Sequence, residues 1–411
     1  SEWRGDLMAV SGGRVYRIDV DAGTYEDVTG AAVTGTNRVI FAQTEEELLM
    51  AAGKQIISLR GNESRILSRD APESTHVVFI KGYVVAIEPG SGRFYHSAVG
   101  QYDSWNPIDV FSAEGKPDNL NAAHVTDFNE LLLCGPESIE QHDPSPSGTR
   151  PFFLRWTLGA GLFAPYTIVS VDNRVWGVNQ RQEFVSFSSQ ASTTESRDVQ
   201  VSLEMVDDWR DAWSAELPID GQRFIILQCP HATNIYGTKG LTFLYDYQKK
   251  RWGTLYGPIG EDGLPTRWQG WSVKKLSRGD DVKYVGGEGK IYRLRNFGVA
   301  AELPERMRWR SGFFSMKGNV QVRVDKVRVR LRRGDGAVGT ERALIGFRSN
   351  KDNKGFGHAS RKSLGLVGDT MMSLEFPAQG AARAWQFEIE VDDRTPVEIH
   401  DVQADLIAME S

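Results

Sequence analysis

The chain has 411 residues, with 48 basic and 54 acidic side chains and a formal net charge of -6. This acidic excess disfavours a tight, nonspecific DNA binder, because such proteins are usually basic as a whole. Hydrophobic residues make up 40% and charged residues 25%, which is ordinary for a globular protein and excludes wholesale disorder. The 42 glycines, about a tenth of the chain, exceed the average of roughly 7% and indicate many turns and short strands.

A recurring unit organises the first 300 residues. In each copy, a turn containing Gly, Asp or Asn precedes a run of apolar or alternating residues. The copies begin at positions 12, 52, 81, 128, 172, 221 and 280, and a four-stranded β-propeller blade takes roughly 40 to 50 residues. The spacing therefore predicts a six- or seven-bladed β-propeller over residues 1–299, with less than a tenth of the chain helical.

The two cysteines, Cys134 and Cys229, lie in the apolar runs LLLCG and IILQC, which are typical of core strands. We therefore expect two buried free thiols, as in a protein from a reducing compartment. No run of 18 apolar residues is present, so no membrane span is expected. The first ten residues lack the pattern of a secretory signal peptide, and none is expected.

Two stretches rich in proline and glycine, Glu140–Arg150 and Gly257–Thr266, are predicted to be long loops. Long loops in compact domains often belong to functional faces or interfaces. We therefore expect these loops to contact neighbouring chains. The candidate contact residues are Asp143, Ser145, Arg150, Glu261, Asp262 and Arg267.

From about residue 300 the strands become longer and alternate more strictly. This pattern predicts a separate antiparallel β-sandwich-like domain over residues 300–411, so the whole chain is expected to be all-β. The expected strands are Val320–Leu331, Ala343–Arg348, Met371–Phe376, Ala384–Val391 and Val397–Leu406.

The strongest local charge lies at the start of this second domain, where residues 301–333 hold ten basic and three acidic side chains. The alternation slips by one residue at Asp325-Lys326, which predicts a β-bulge. Beyond the slip, one face carries an arginine stripe of Arg328, Arg330 and Arg332. The stripe could contact DNA or an acidic partner. We favour pairing within the domain or at a subunit contact, with the acidic strand that carries Glu388, Glu390 and Asp392 as the matching strand.

Motifs for catalysis are missing from the sequence. It contains no P-loop, no nucleophile elbow, no HExxH motif and no CxxC pair, and its seven histidines are scattered. Asp19, Asp21 and Asp27 form a partial calcium-loop pattern that lacks the bidentate glutamate, and a hairpin turn accounts for it equally well. We expect no enzyme activity, no metal and no cofactor.

Several runs of the sequence, taken in order, follow the pattern of a known family. They are Ser104–Leu120, Phe128–His142, Pro151–Val169, DNRVWGV from Asp172, Phe243–Leu255, the segment GGEGKIYRL and the basic strand that opens the last domain. Together they resemble the tail-hub or nozzle proteins of short-tailed bacteriophages, also called packaged-DNA stabilisation proteins. The resemblance extends over roughly residues 1 to 405, with departures at 140–150 and in the last domain, and it implies a β-propeller in a hexameric ring.

The resemblance implies a structural virion protein of the phage tail, assembled in the host cytoplasm. Its ring would lie below the portal and adaptor proteins, retain packaged DNA and conduct it during ejection. The expected partners are further copies of the chain, the portal or adaptor, needle, spike or fibre proteins, and double-stranded DNA bound without sequence specificity. The alternative is a β-propeller that binds or hydrolyses glycans, since paired carboxylates are plentiful in the sequence.

Overall fold

The computed structural model describes residues 1–113, 118–145, 151–188, 191–219, 222–234, 237–259, 264–277, 283–287, 289–294, 307–316, 320–333, 344–365, 371–391 and 397–409. The chain divides into two compact units, Ser1–Leu294 and Arg295–Ser411. Both are built from antiparallel strands. The helical segments of the described residues are a 3-10 turn, Arg197–Val199, and a short helix α1, Gln200–Leu203, as the low predicted helix content requires.

The first unit is a β-propeller whose described residues form seven sheets, in chain order. Blade 1 consists of β1 Glu2–Trp3, β2 Asp6–Ser11, β3 Arg14–Asp19 and β4 Thr24–Asp27. Blade 2 consists of β5 Ile40–Gln43, β6 Leu48–Ala51, β7 Ile57–Arg60 and β8 Glu63–Ile66. Blade 3 consists of β9 Val77–Ile80, β10 Tyr83–Ile87, β11 Arg93–Ala98 and β12 Gln101–Ser112. Blades 4 and 5 consist of β13 Ala122–Val125, β14 Leu131–Cys134, β15 Ile139–Pro144, β16 Phe152–Leu158; and β17 Val169–Val171, β18 Arg174–Val178, β19 Phe184–Phe187, β20 Ser192–Thr194. Blades 6 and 7 consist of β21 Trp213–Ile219, β22 Gln222–Thr233, β23 Lys239–Asp246, β24 Arg251–Ile259, β25 Pro265–Arg267; and β26 Ser272–Lys275, β27 Lys283–Gly287, β28 Lys290–Leu294.

Each of the seven sequence units falls in a different blade, which confirms the propeller prediction and its upper blade number. Tight turns explain why the units were visible in the sequence. Asp172 and Asn173 both have positive φ, 54° and 59°, in the two-residue turn between β17 and β18. Such turns match the right-handed twist of a hairpin and favour Asn, Asp and Gly.

Neighbouring blades pack face to face through apolar side chains. In β14, Leu131 and Leu133 point into the core shared with blade 3, whereas Leu132 and Cys134 point into the core shared with blade 5. Successive side chains of a strand point to opposite faces, so a strand buried on both faces is apolar throughout. A fully buried leucine contributes about 1.5–3 kcal/mol relative to an exposed one, and these cores therefore stabilise the ring of blades.

Glu2 joins the two ends of the propeller. Its carboxylate accepts hydrogen bonds from the backbone N–H and the hydroxyl of Ser277, both at 2.9 Å, just beyond β26 of blade 7. Its backbone carbonyl accepts a hydrogen bond from Gln43 of blade 2. Glu2 therefore connects blade 1 to the blades on either side of it.

The second unit is a sandwich of two antiparallel sheets. The four-stranded sheet has the strand order β29 Met307–Arg310, β34 Trp385–Val391, β31 Leu344–Lys351 and β32 Ser360–Ser363. The three-stranded sheet has the order β33 Met372–Ala382, β30 Val322–Arg333 and β35 Val397–Ala408. The five predicted strands are all present and begin within two residues of the expected positions. The register of β30 shifts between Val324 and Lys326, which confirms the predicted bulge.

The core of the sandwich lies between the two sheets. Val327 and Val329 of β30 pack with Phe347 of β31 and Ile389 of β34 in one apolar cluster. The ring of Phe347 stacks on that of Phe376, with centroids 4.9 Å apart. Residues from both sheets are fully buried here, as expected for sheets that pack face to face.

A charged cluster stabilises the four-stranded sheet. Glu388 of β34 is fully buried and pairs with Arg310 of β29 at 2.5 Å and with Arg348 of β31. Burial would raise the pKa of Glu388, but the hydrogen bonds from Arg310 and Arg348 outweigh it, and the pKa is lowered from its ordinary value. The carboxylate therefore stays charged, compensated by cations on both neighbouring strands.

The buried state of the two cysteines gives a first testable prediction. Cys134 and Cys229 are unpaired and buried in different blades, which confirms the sequence prediction, and burial raises the pKa of both thiols. Since the thiolate is the reactive form, we expect negligible labelling by a maleimide in the native protein and two labels per chain after denaturation without reductant. Rapid native labelling at either cysteine would contradict this placement.

Glu388 gives a second prediction. Removing one partner of a buried ion pair typically costs about 3–5 kcal/mol. Because its arginines keep partial solvent access, we expect Glu388→Gln to lower the unfolding free energy of the second unit by about 3 kcal/mol, the low end of that range. The same change in Glu375, whose pairs are exposed and screened by solvent, serves as the matched control and should cost far less than Glu388→Gln. Hydrogen exchange of β31 and β34 peptides in denaturant measures both.

The lowered pKa of Glu388 also fixes the sign of a pH dependence. The stabilisation by the charged carboxylate is complete above its ordinary pKa and is lost as pH falls through the lower, folded-state value. We therefore expect acid to destabilise the second unit of the wild type more than that of Glu388→Gln. Equal losses in both proteins would contradict the assignment.

Candidate functional site

The first predicted loop is partly a strand. Glu140, Gln141 and His142 lie in β15 and are buried, so Glu140–Pro144 is not a loop as predicted. The polar residues suggested a loop, but in the strand they bond to each other: His142 Nε2 lies 2.9 Å from the Glu140 carboxylate. The Ser145 N–H donates to the Pro151 carbonyl, which joins the ends of β15 and β16.

The second predicted loop is also shorter than expected. Its first residues, up to Ile259, belong to β24, and its last residues, Pro265 and Thr266, belong to β25. The guanidinium of Arg267 lies 4.5 Å from the centre of the Trp271 ring. Three of the candidate contact residues, Arg150, Glu261 and Asp262, lie outside the described residues.

An apolar patch lies beside the first loop, on the outermost strand of blade 4. Phe153 and Leu154 of β16 are 49% and 44% exposed, and Arg155 beside them pairs with Asp143 at 2.7 Å. On the outermost strand of blade 3, Ile108 is 83% exposed. We name Phe153 and Leu154 the rim patch. Together with Ile108, they give the outer edge of the propeller exposed apolar side chains.

The arginine stripe lies on the outer face of the three-stranded sheet. Arg328 pairs with Glu375 of β33 and with Asp405 of β35, both at 3.0 Å. Arg330 and Arg332 are exposed and have no ion pair within 4.0 Å in the described part of the chain. Pairing within the domain thus applies to one of the three arginines.

The predicted acidic partner strand of the stripe is wrong. Glu388 and Glu390 lie in the other sheet and pair with arginines of β29 and β31, whereas β30 pairs with β33 and β35. Asp392 lies outside the described residues. The error arose because sequence alternation gives the face of a strand but not the sheet to which the strand belongs.

Of the candidate calcium residues, Asp19 and Asp21 lie at the hairpin turn between β3 and β4, whereas Asp27 lies at the other end of β4. The Asp19 carboxylate accepts hydrogen bonds from the N–H groups of Asp21 and Ala22, both at 3.0 Å. Asp27 pairs with Arg14 at 2.9 Å and accepts a hydrogen bond from the Thr29 N–H. Over the described residues, no cluster of three His, Cys, Asp or Glu side chains could hold a metal ion.

A cavity of about 370 Å³ lies at the axis of the propeller. The first strand of each blade is at one end of its sheet, and first strands of several neighbouring blades contact one another, which makes them the innermost strands. Residues in or next to the first strands of blades 2 to 6 line the cavity. The polar side chains among them are Arg38, Gln43, His76, His124, Tyr166 and Ser214.

Side chains meet across this axis. The His76 ring, just before blade 3, stacks on the Tyr166 ring, just before blade 5, with centroids 5.4 Å apart. Arg38, just before blade 2, donates a hydrogen bond to the Trp271 carbonyl at 2.5 Å and lies over the Trp213 ring of blade 6. These contacts close the axis to any large molecule.

We name Arg38, His76, His124 and Tyr166 the axial cluster. Its positive charge comes from Arg38. Burial lowers the pKa of Arg38 to about 10, so it stays protonated at neutral pH. Burial lowers the pKa of His76 to about 3, although the Pro165 carbonyl favours its charged form, and that of His124 to about 4. Both histidines are therefore neutral at pH 7.

Sequence analysis missed the axial cluster. Its members lie in different blades, and the histidines and Arg38 belong to no motif. One signal was available: His76, Tyr166 and Arg38 each come within three residues of the start of a blade's first strand. Trp209 and Trp213 are buried in the propeller core.

Comparison with known proteins gives one family and several distant matches among solved structures. No curated protein matches the chain. Solved structures that match include an exo-β-1,3-galactanase from Phanerochaete chrysosporium, with 10% identity and a TM-score of 0.33, covering 96% of this chain and 100% of that one. Another is the extracellular domain of a putative one-component system from B. thetaiotaomicron, with 10% identity and a TM-score of 0.47, covering 93% of this chain and 55% of that one.

The family match is more informative than these distant structures. The described residues contain no helix long and apolar enough to cross a membrane, and the propeller of seven sheets agrees with the family's own description. A model of the phage stabilisation family, described as Bacteriophage P22 Gp10, beta-propeller, matches residues 1–275. Because this match spans well over half of the chain, the protein belongs to the phage stabilisation family.

Proposed function

We propose that this protein is a structural component of a phage tail that assembles side by side into a ring, expected to be a hexamer, around a DNA channel. Membership of the phage stabilisation family carries the proposal. The ring would act as tail hub or nozzle, retaining packaged DNA below the portal and adaptor and conducting it at ejection. Needle, spike or fibre proteins would bind its distal side.

The closed axis of the propeller supports a channel formed between copies of the chain. The His76 and Tyr166 rings touch across the axis with centroids 5.4 Å apart, while the major groove of B-DNA alone is about 12 Å wide. A duplex therefore cannot thread one propeller. A ring of several copies encloses a wider opening. Head-to-tail contacts between identical copies form a closed ring when the rotation from one copy to the next is a whole fraction of a full turn.

The charge of the chain suits a conduit better than a clamp. Each phosphate contact by Lys or Arg adds affinity, and a strongly basic wall would hold the DNA. With a net charge of -6, the protein has no overall attraction for the duplex. We propose that the propeller domain, residues 1–299, forms the body of the ring and that residues 300–411 provide contacts to neighbours.

The glycan alternative has less support from the site. A glycosidase needs two carboxylates facing the scissile bond, and no carboxylate lines the axial cavity among the residues that the structure describes. The similarity to a galactanase has a TM-score of 0.33 and carries no argument. We therefore propose a structural role without enzyme activity.

The rim patch gives a prediction about assembly. Exposed apolar side chains rimmed by charges mark protein interaction sites. We expect Phe153→Ser combined with Leu154→Ser to weaken ring formation at least tenfold while the fold stays intact, as measured by mass photometry and circular dichroism. Val201→Ser, at a 76% exposed position on α1, is the control and should assemble normally. Normal rings from the double variant would exclude this patch as a subunit contact.

The arginine stripe gives a prediction about DNA. Because Arg328 is already paired and the chain is acidic overall, we expect any binding of the isolated protein to duplex DNA to be weak. Changing Arg328, Arg330 and Arg332 together to glutamine should leave its salt dependence unchanged, and Arg328→Gln alone should cost about 0–1 kcal/mol of stability. A loss of about three units of salt slope in the triple variant would instead place the stripe on phosphates.

A further inference from the structure

The axial cavity has the size of a small-molecule site. Its volume of about 370 Å³ lies within the range of ligand pockets, roughly 300–1,000 Å³. Five blades contribute to its lining, and contacts between blades fix its walls. The structural role proposed above does not use this cavity, so its polar side chains require a separate explanation.

Arg38 gives the cavity an uncompensated positive charge. It is the one charged side chain among the described lining residues, and it makes no ion pair within 4.0 Å. Its hydrogen bond goes to the neutral carbonyl of Trp271, and its guanidinium also lies over the Trp213 ring. Further N–H groups of the guanidinium therefore have no acceptor among the described residues. Asp211, whose charge favours the protonated form of Arg38, hydrogen-bonds His231 at 2.6 Å instead.

Two neutral polar groups at the cavity also lack hydrogen bonds of normal geometry, although the Pro165 carbonyl lies close enough to His76 to favour its charged form. Nε2 of His76 is buried and makes no hydrogen bond of normal geometry, and the same holds for the Ser214 hydroxyl, over the part of the chain that the structure describes. Nδ1 of His76 lies 3.2 Å from the Thr75 hydroxyl and can accept from it. Nε2 then carries the ring proton and can donate to a ligand. Buried polar groups without partners are uncommon and often mark a missing ligand or water.

We propose that the axial cavity binds one small oxyanion, a phosphate or a carboxylate, held by the Arg38 guanidinium and by hydrogen bonds from His76 Nε2 and the Ser214 hydroxyl. A planar guanidinium presents several N–H groups that match the oxygens of either anion. The neutral His76 ring and the Ser214 hydroxyl add hydrogen bonds to the anion without changing their protonation state. The anion would neutralise the half-buried Arg38 guanidinium and connect blades 2, 3 and 6 at the axis.

The test is binding of inorganic phosphate to the full chain at pH 7.5 by equilibrium dialysis, with acetate as the second probe. Ionic strength is held constant with sodium chloride, since salt screens charges. We expect saturable binding of one anion per chain by at least one probe. Arg38→Gln should weaken it at least tenfold, because it removes the charge-assisted bonds. Arg332→Gln, which changes an exposed arginine without an ion pair, is the matched control and should bind as the wild type does.

Further variants keep the test decisive if Arg38→Gln does not fold. His76→Phe retains the stack on Tyr166 but removes Nε2, and Ser214→Ala removes the hydroxyl, so each should weaken binding several-fold. The proposal fails if neither anion binds saturably to the wild type. It also fails if binding is unchanged in every folded variant of the three positions. Ring assembly is measured separately, so loss of anion binding and failure to form rings are distinguishable outcomes.

Discussion

Burial of both faces of each blade is the constraint on which the propeller depends. Strand β14 sends alternate side chains into the cores shared with blades 3 and 5, and it is apolar at every position. Such a sheet cannot stand alone, and a row of them would leave two apolar faces in water. Closing the row into a ring removes both ends. The hydrogen bonds from Ser277 to the Glu2 carboxylate join the last blade to the first.

Closure also determines what the axis can do. The first strands of the blades converge, and the residues preceding them, His76, Tyr166 and Arg38, meet at the centre. These side chains are packed too closely for a DNA duplex to pass between them, but the cavity that they line is large enough for a small ion. The DNA channel that we propose would therefore lie between copies of the chain. The same packing leaves an arginine in the centre without a carboxylate partner.

In the second unit, each sheet balances its own charge. Glu388 and Glu390 lie between two basic strands, β29 and β31, in one sheet, while Arg328 lies between Glu375 and Asp405 in the other. Cross-strand neighbours are within about 5.5 Å of each other, so opposite charges there attract and like charges repel. Arg330 and Arg332 are exposed beyond this pairing, with Asp401 and Glu398 of β35 as their cross-strand neighbours.

The sequence by itself determined the all-β class, the blade units, the bulge in β30 and the buried cysteines. These properties depend on which residues favour turns and on the alternation of polar and apolar residues along one strand. Both can be read from consecutive residues of the sequence. Tertiary structure decided which strands pair and which residues meet at the axis. Glu388 was assigned to the wrong neighbour because alternation defines a face but not a partner strand. Arg38, His76 and Tyr166 are separated by up to 128 positions, and they meet because seven buried sheets must close into a ring.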